Sequence, residues 1–224
     1  MPIQSLIFIF MSSFAALFPV VNPIGSGFII TNFIKDLDDN QRKSAIKKIM
    51  INCLLIGIGS LIIGHLVLLV FGLAIPVIQV GGGIIICKTG MEWLSDSSSS
   101  DTGDKQKIIN KINMDEIERK LFYPISFPLI MGAGSISVIF TLTANVTIKG
   151  DLVHTGTNYS IIALVILIIL AILYIFLLQG RQITKKLGKS GNLVINKLIA
   201  FITFCIGIQI FVTGISKIFH IPVL

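Results

Sequence analysis

The sequence predicts an all-α membrane protein of six transmembrane helices, arranged as two inverted three-helix repeats with broken helices in spans one and four. Three observations carry that prediction. The composition is 54% hydrophobic and 13% charged, with a mean hydropathy of +0.91, where a soluble domain carries about 25% charged residues. Six apolar runs, at 6–33, 49–71, 75–94, 122–145, 160–178 and 198–218, are each near the ~20 residues that a helix needs to cross hydrocarbon. One Gly/Pro-interrupted pattern occurs twice, in the first and fourth runs.

Charge placement gives the orientation. The net charge is +7, and 15 of the 18 basic residues fall on alternate connections. Lys35, Arg42, Lys43, Lys47 and Lys48 lie in the first, Lys105, Lys107, Lys111, Arg119 and Lys120 in the third, and Arg181, Lys185, Lys186, Lys189 and Lys197 in the fifth. The second and fourth hold only Lys149. The positive-inside rule then predicts connections one, three and five in the cytoplasm and both termini outside, on the periplasmic side. The basic surplus reads as a topology signal, so the expected partner is the lipid bilayer and not nucleic acid. No basic residue precedes the first apolar run and no small-x-small cleavage site follows it, so that run is expected to stay as the first span.

Span one contains Phe18-Pro19-Val20-Val21-Asn22-Pro23-Ile24-Gly25-Ser26-Gly27. Pro19 and Pro23 remove two backbone donors and oppose regular helix, and Asn22 adds an amide with two donors and an acceptor. In hydrocarbon such a break is tolerated only where the freed groups are buried in protein or line a cavity. Asp36, Asp38 and Asp39 precede Arg42 and Lys43, which suits a short helix leading into span two. Span two holds His65, the one titratable group well inside a span and a candidate proton site; its place near the outer end also fits a hydrogen-bonded or interfacial histidine. Span three carries Gly81-Gly82-Gly83 and Gly90, suited to close helix packing, and the i, i+4 pair Lys88 and Glu92. Residues 95–121 are a polar cytoplasmic linker, flexible over Ser95 to Gly103 and with a surface helix over Ile108 to Lys120. The linker divides a first three-span repeat, 1–94, from a second, 122–224.

Span four repeats the device of span one. Tyr123-Pro124-Ile125-Ser126-Phe127-Pro128-Leu129 has the aromatic-Pro-x-x-x-Pro-aliphatic order of Phe18 to Ile24. Gly132-Ala133-Gly134-Ser135 answers Gly25-Ser26-Gly27, with its Gly-Ser pair four residues later relative to the prolines. Paired interrupted segments in two halves of a chain point to a transporter binding site. The candidate substrate-binding residues are therefore Asn22, Gly25, Ser26, Gly132, Gly134 and Ser135, with Pro19, Pro23, Pro124 and Pro128 shaping the breaks. In the outer connection, Asp151 and His154 read as solvated. Span five is uninterrupted aliphatic sequence and is expected at the periphery or facing lipid. Span six repeats, in Gly207 and Thr213-Gly214, the Gly83 and Thr89-Gly90 of span three. Span one thus matches span four and span three matches span six. With three spans per half, the second half enters the membrane from the opposite side.

Asn22-Pro23-Ile24-Gly25, the Gly81-Gly82-Gly83 span and the stretch Tyr123 to Ile136 together resemble the MarC family of bacterial and archaeal membrane proteins. The resemblance covers essentially the whole chain. It departs at Gly132-Ala133-Gly134, where the family usually has Gly-Pro-Gly; both glycines are kept and a proline is lost. The resemblance implies a multi-pass protein of the cell inner membrane, with a fold similar to the wider lysine-exporter-like group. It also implies transport, since some members are regarded as transporters of small neutral amino acids such as alanine and glycine.

On that expectation, broken-helix N-termini suit a carboxylate, and free carbonyls suit an ammonium group or Na⁺. No Asp or Glu lies deep in a span, which argues against a carboxylate proton relay. Transport is then uncoupled, Na⁺-coupled through carbonyls and hydroxyls, or H⁺-coupled through His65. There is no Walker motif for ATP hydrolysis. Cys53, Cys87 and Cys205 share no metal or redox spacing, and no metal or cofactor is expected. An enzyme is not expected either: Ser135 with His65 as base lacks a buried acid to orient the histidine. A passive channel and a non-transporting scaffold are the competing readings.

Overall fold

The structure, a computed structural model, describes residues 3–34, 37–95, 119–148 and 150–221. Helices make up all of its regular structure there: α1 Ile3–Val21, α2 Pro23–Phe33, α3 Asp39–Phe71, α4 Ile75–Ser95, α5 Leu121–Ile130, α6 Ala133–Val146 and α7 Leu152–Phe219. The linker stretch 96–118, with nearly all of its expected surface helix, lies outside the described residues, as do Lys35, Asp36 and Lys149.

Local chemistry fixes the helix ends. Asp38 Oδ1 accepts from Gln41 N at 2.7 Å, and the Gln41 side chain accepts from Asp38 N at 3.3 Å. This capping box satisfies two orphan donors at once. The charged connection is therefore the opening turns of α3 itself, which runs 33 residues to Phe71. In α7, Gly188 sits at φ 65 and ψ −177, a conformation open to glycine alone. It divides α7 into two arms, 152–187 and 189–219, so the fifth connection is a turn on one residue between helices. The first arm starts at Asp151, whose carboxylate accepts from His154 N at 3.0 Å and pairs with the His154 ring. Those two residues, expected to be merely solvated, form a helix cap.

Among the described residues four stretches are long and apolar enough to cross a membrane: Gln4–Thr31, Asp39–Gly64, Leu152–Gly180 and Leu193–Phe219. The pair α5 and α6, bent by 53°, makes a fifth if it counts as one span. With 21 residues, α4 is about 31 Å long; Gln79, Lys88, Glu92 and four glycines dilute its apolar character.

The first arm of α7 corrects one side of the expectation that span five lies at the periphery or faces lipid: Leu164, Leu167, Ile175 and Leu178 are exposed on one face, but the other face is central. Ile162, Ile166, Ile169, Leu173 and Leu177 recur along one face at helical spacing and are buried in the centre of the core. They pack in one cluster with Leu17, Ile30, Ile46, Met131 and Ile139. An aliphatic stripe serves lipid and protein interior equally well, because lipid tails are as apolar as leucine. Two basic residues that read as topology signals also tie the helices together. Arg42 Nη2 donates to Leu177 O and Lys197 Nζ to Leu94 O, both at 2.6 Å.

The second arm of α7 meets α4 along a glycine seam. A Cβ on Gly83 would lie 2.6 Å from Phe211 N, and one on Gly207 2.6 Å from Cys87 N. One on Gly90 would lie 2.7 Å from Phe204 N, and one on Gly214 2.8 Å from Val80 N. Each contact has a counterpart with the partners' roles exchanged. The counterparts (83 and 207, 87 and 211, 90 and 214, 80 and 204) are all equally spaced along the chain. Only glycine permits backbones this close.

Candidate functional site

The first break is a single residue. Helix α1 runs through Pro19, and the chain leaves helical geometry only at Asn22, with φ 48 and ψ 63. The expectation that both prolines interrupt the helix is thus corrected: Pro19 lies inside α1, and Pro23 takes the first position of α2, where its missing N–H is not needed. Their effect falls on the carbonyls four residues back, Ala15 and Pro19, to which neither proline can donate. Asn22 Oδ1 caps α2 by accepting from Gly25 N at 3.1 Å, and its Nδ2 reaches Thr203 Oγ1 at 3.4 Å. Ser26 Oγ donates to Val21 O at 3.0 Å.

The second break is longer. Helix α5 is wound wide, with Met131 N donating to Ser126 O at 3.0 Å across five residues. Tyr123 (φ −121, ψ 121) and Phe127 (φ −132, ψ 124) leave helical geometry. Each precedes a proline, whose ring pushes the preceding residue into extended backbone. The Pro124 side chain is outside the described residues; the Phe127–Pro128 peptide is cis. The chain turns at Gly132, where a Cβ would strike Pro128 O at 2.3 Å, and α6 begins. Ser135 Oγ donates to Ile130 O at 3.1 Å, the same five-residue reach as Ser26 to Val21. The two breaks therefore correspond through Gly25-Ser26 and Gly134-Ser135, and not through the prolines that flagged them. They also differ in capping: α2 is capped by Asn22, whereas α6 has no side-chain cap.

Two cavities flank the second break. The larger, ≈ 730 Å³, lies toward the N-terminus of the chain and is bounded by α1, α4, α6 and both arms of α7. The smaller, ≈ 460 Å³, lies toward the basic connections and holds Thr89, Glu92, Pro128, Gly132, Ser135 and Thr203 in its wall. Ile86 and Gly134 line both. Ile86 is buried, and a Cβ on Gly134 would come within 2.5 Å of Ile86 Cγ1. These two residues form the septum between the cavities.

Of the predicted substrate-binding residues, Gly132, Gly134 and Ser135 line the smaller cavity. Asn22 reaches it only through Thr203. Gly25 and Ser26 line neither cavity, and Ser26 is fully buried. Of the predicted shaping residues, Pro19 lines the larger cavity and Pro128 the smaller. His65 lies on α3, with its side chain outside the described residues. Lys88 and Glu92 make the expected i, i+4 pair at 3.9 Å, both exposed. Sequence reasoning missed Gln79, Ser137, Thr141 and Asn145 in the larger cavity. The last three lie four residues apart in span four, a legible polar stripe on an otherwise apolar helix.

A model described as the MarC family integral membrane protein matches residues 7–219. The chain belongs to the MarC family. Its MarC relatives include a UPF0056 membrane protein of Pyrococcus abyssi, 26% identical over 93% of this chain and 94% of the relative. The UPF0056 membrane protein YvbG of Bacillus subtilis is 27% identical over 93% and 94%. The UPF0056 inner membrane protein MarC of Salmonella arizonae is 23% identical over 90% and 91%. No solved structure matches this MarC-family chain.

Proposed function

We propose that this chain is a secondary transporter of small neutral solutes, small neutral amino acids among them, in the bacterial inner membrane. On this reading it works by alternating access between two inverted three-span halves. The six passes are α1 with α2, α3, α4, α5 with α6, and the two arms of α7. The basic connections are cytoplasmic and both termini are outside. The reciprocal glycine contacts support the inverted arrangement, since a two-fold axis in the membrane plane produces pairs that repeat when the halves are exchanged.

The observation that carries the reading is the pair of cavities that share Ile86 and Gly134 in their walls, with an uncapped helix start beside them. The first turn of α6 has N–H groups without intrahelical partners, which suit a solute carboxylate. Coupling, where present, runs through Na⁺ on carbonyl and hydroxyl oxygens or through H⁺ on His65.

The test is counterflow of labelled alanine and glycine in proteoliposomes, with Na⁺ and pH gradients imposed separately. Saturable counterflow, lost in folded Gly134→Val protein, is the expected result. Flux without saturation or counterflow would make the chain a passive channel. No flux across a wide panel of neutral solutes, in folded protein, would leave a scaffold.

A further inference from the structure

The wall of the larger cavity is rich in hydrogen-bond acceptors. Ser137, Thr141 and Asn145 line it from one face of α6. Ser137 Oγ already donates to Ala133 O at 2.7 Å, and Thr141 Oγ1 to Ser137 O at 2.9 Å. On α1, Ser12 Oγ donates to Ile9 O at 3.2 Å. A hydroxyl that has donated its proton to the backbone has only lone pairs left to offer. Asn158 is oriented by its Nδ2, which donates to Val146 O at 2.9 Å. Its Oδ1 is left without a partner, as are Gln79 Oε1 and Ser13 Oγ. Those three atoms belong to residues of this cavity's wall and are three of the four partnerless buried side-chain atoms among the described residues.

No charged side chain lines the cavity; apart from the Gln209 amide, the rest of its wall is apolar, with Phe8, Ile9, Val138 and Ile210. Asn158 Oδ1 and Gln79 Oε1 can only accept, and the Ser13 hydroxyl can accept as well as donate. Buried acceptors without donors are costly, so the balance of the wall's unmet demand is for donors. A carboxylate would set lone pairs against lone pairs. A hydroxyl or amide brings an acceptor along with its donors. A primary ammonium brings three donors and no acceptor.

From this we infer that the larger cavity is a binding site for a primary ammonium group carried on a small apolar body. The binding stands on the cavity's own chemistry. Joined to the transport reading it has a consequence that rests on that reading: this cavity is where the solute's ammonium group is held on its way through.

The test is equilibrium dialysis of labelled propylamine, protonated at neutral pH, against the detergent-solubilised full chain. It needs no transport, so a failure of counterflow leaves it unaffected. Saturable binding is expected, displaced by ethylammonium and not by propionate. Thr141→Val and Ser137→Ala should each raise Kd about two- to tenfold, the effect of one hydrogen bond. Thr157→Val, whose hydroxyl bonds Val153 O on an exposed turn, should leave Kd unchanged. Absence of saturable binding would mean that water alone meets these oxygens, and would overturn the inference. So would equal competition by propionate, or a Kd that neither cavity variant moves.

Discussion

At Asn22 two requirements meet in one side chain. The residue must adopt left-handed backbone, which asparagine tolerates better than most, and its carboxamide must cap α2. Asn22→Ala loses both. The lost cap costs about 1–2 kcal/mol and the left-handed conformation roughly 1 kcal/mol more. Asn22→Gly keeps the conformation and gives up only a few tenths of a kcal/mol. Thermal unfolding in detergent should rank wild type, Asn22→Gly, then Asn22→Ala; equal Tm values for the two variants would remove the left-handed strain from the account. Asn22 was legible in the sequence because a polar residue between two prolines in an apolar run has few uses. Its use was less legible: it holds the break together and touches the smaller cavity only through Thr203. The acceptors of the larger cavity were hidden for a different reason. Ser13, Gln79 and Asn158 come from three separate helices, and no local pattern links them.

At the scale of elements, glycines two residues apart in α4 should behave oppositely. A Cβ on Gly81 meets nothing within 4 Å, whereas one on Gly83 lies 2.6 Å from the Phe211 backbone. Gly81→Ala should hold or raise stability by about 0.5–1 kcal/mol through backbone entropy. Gly83→Ala should cost about 1–3 kcal/mol, because backbone cannot step aside as a side chain does. Denaturation of the two variants side by side checks this, and similar losses for both would dissolve the seam as a packing device. The sequence revealed the glycine match of α4 and the second arm but could not reveal that each matched glycine packs against the other helix's backbone. It missed the buried face of the first arm, since aliphatic residues carry no mark of which neighbour they face.

The start of that arm is sensitive to acid. The backbone N–H of His154, and then its ring, hold the Asp151 carboxyl below the usual carboxylate range. The depressed value means that the cap is at full strength above the unfolded pKa of about 3.9 and is lost as pH falls through the lower folded value. Hydrogen exchange at 152–155, corrected for intrinsic rates, should speed up across that window. Protection unchanged through it would show that the cap does not hold the helix start.

For the whole molecule, the septum decides what kind of pathway the two cavities make. Ile86→Ala should open a passage beside Gly134 and convert saturable counterflow into a leak. Gly134→Ala should press on the Ile86 tip and slow exchange while the protein stays folded. Solute flux in proteoliposomes reads both, and wild-type kinetics in both variants would place the pathway elsewhere.

The seam between α4 and the second arm carries one more implication. Contacts that repeat when two partners are exchanged are what a symmetric homodimer presents, the same patch serving on both sides. Here that self-complementary patch has been internalised within a single polypeptide. Two copies of one half, inserted in opposite orientations, would offer each other the same glycine faces. The linker would then supply tethering and not the fit.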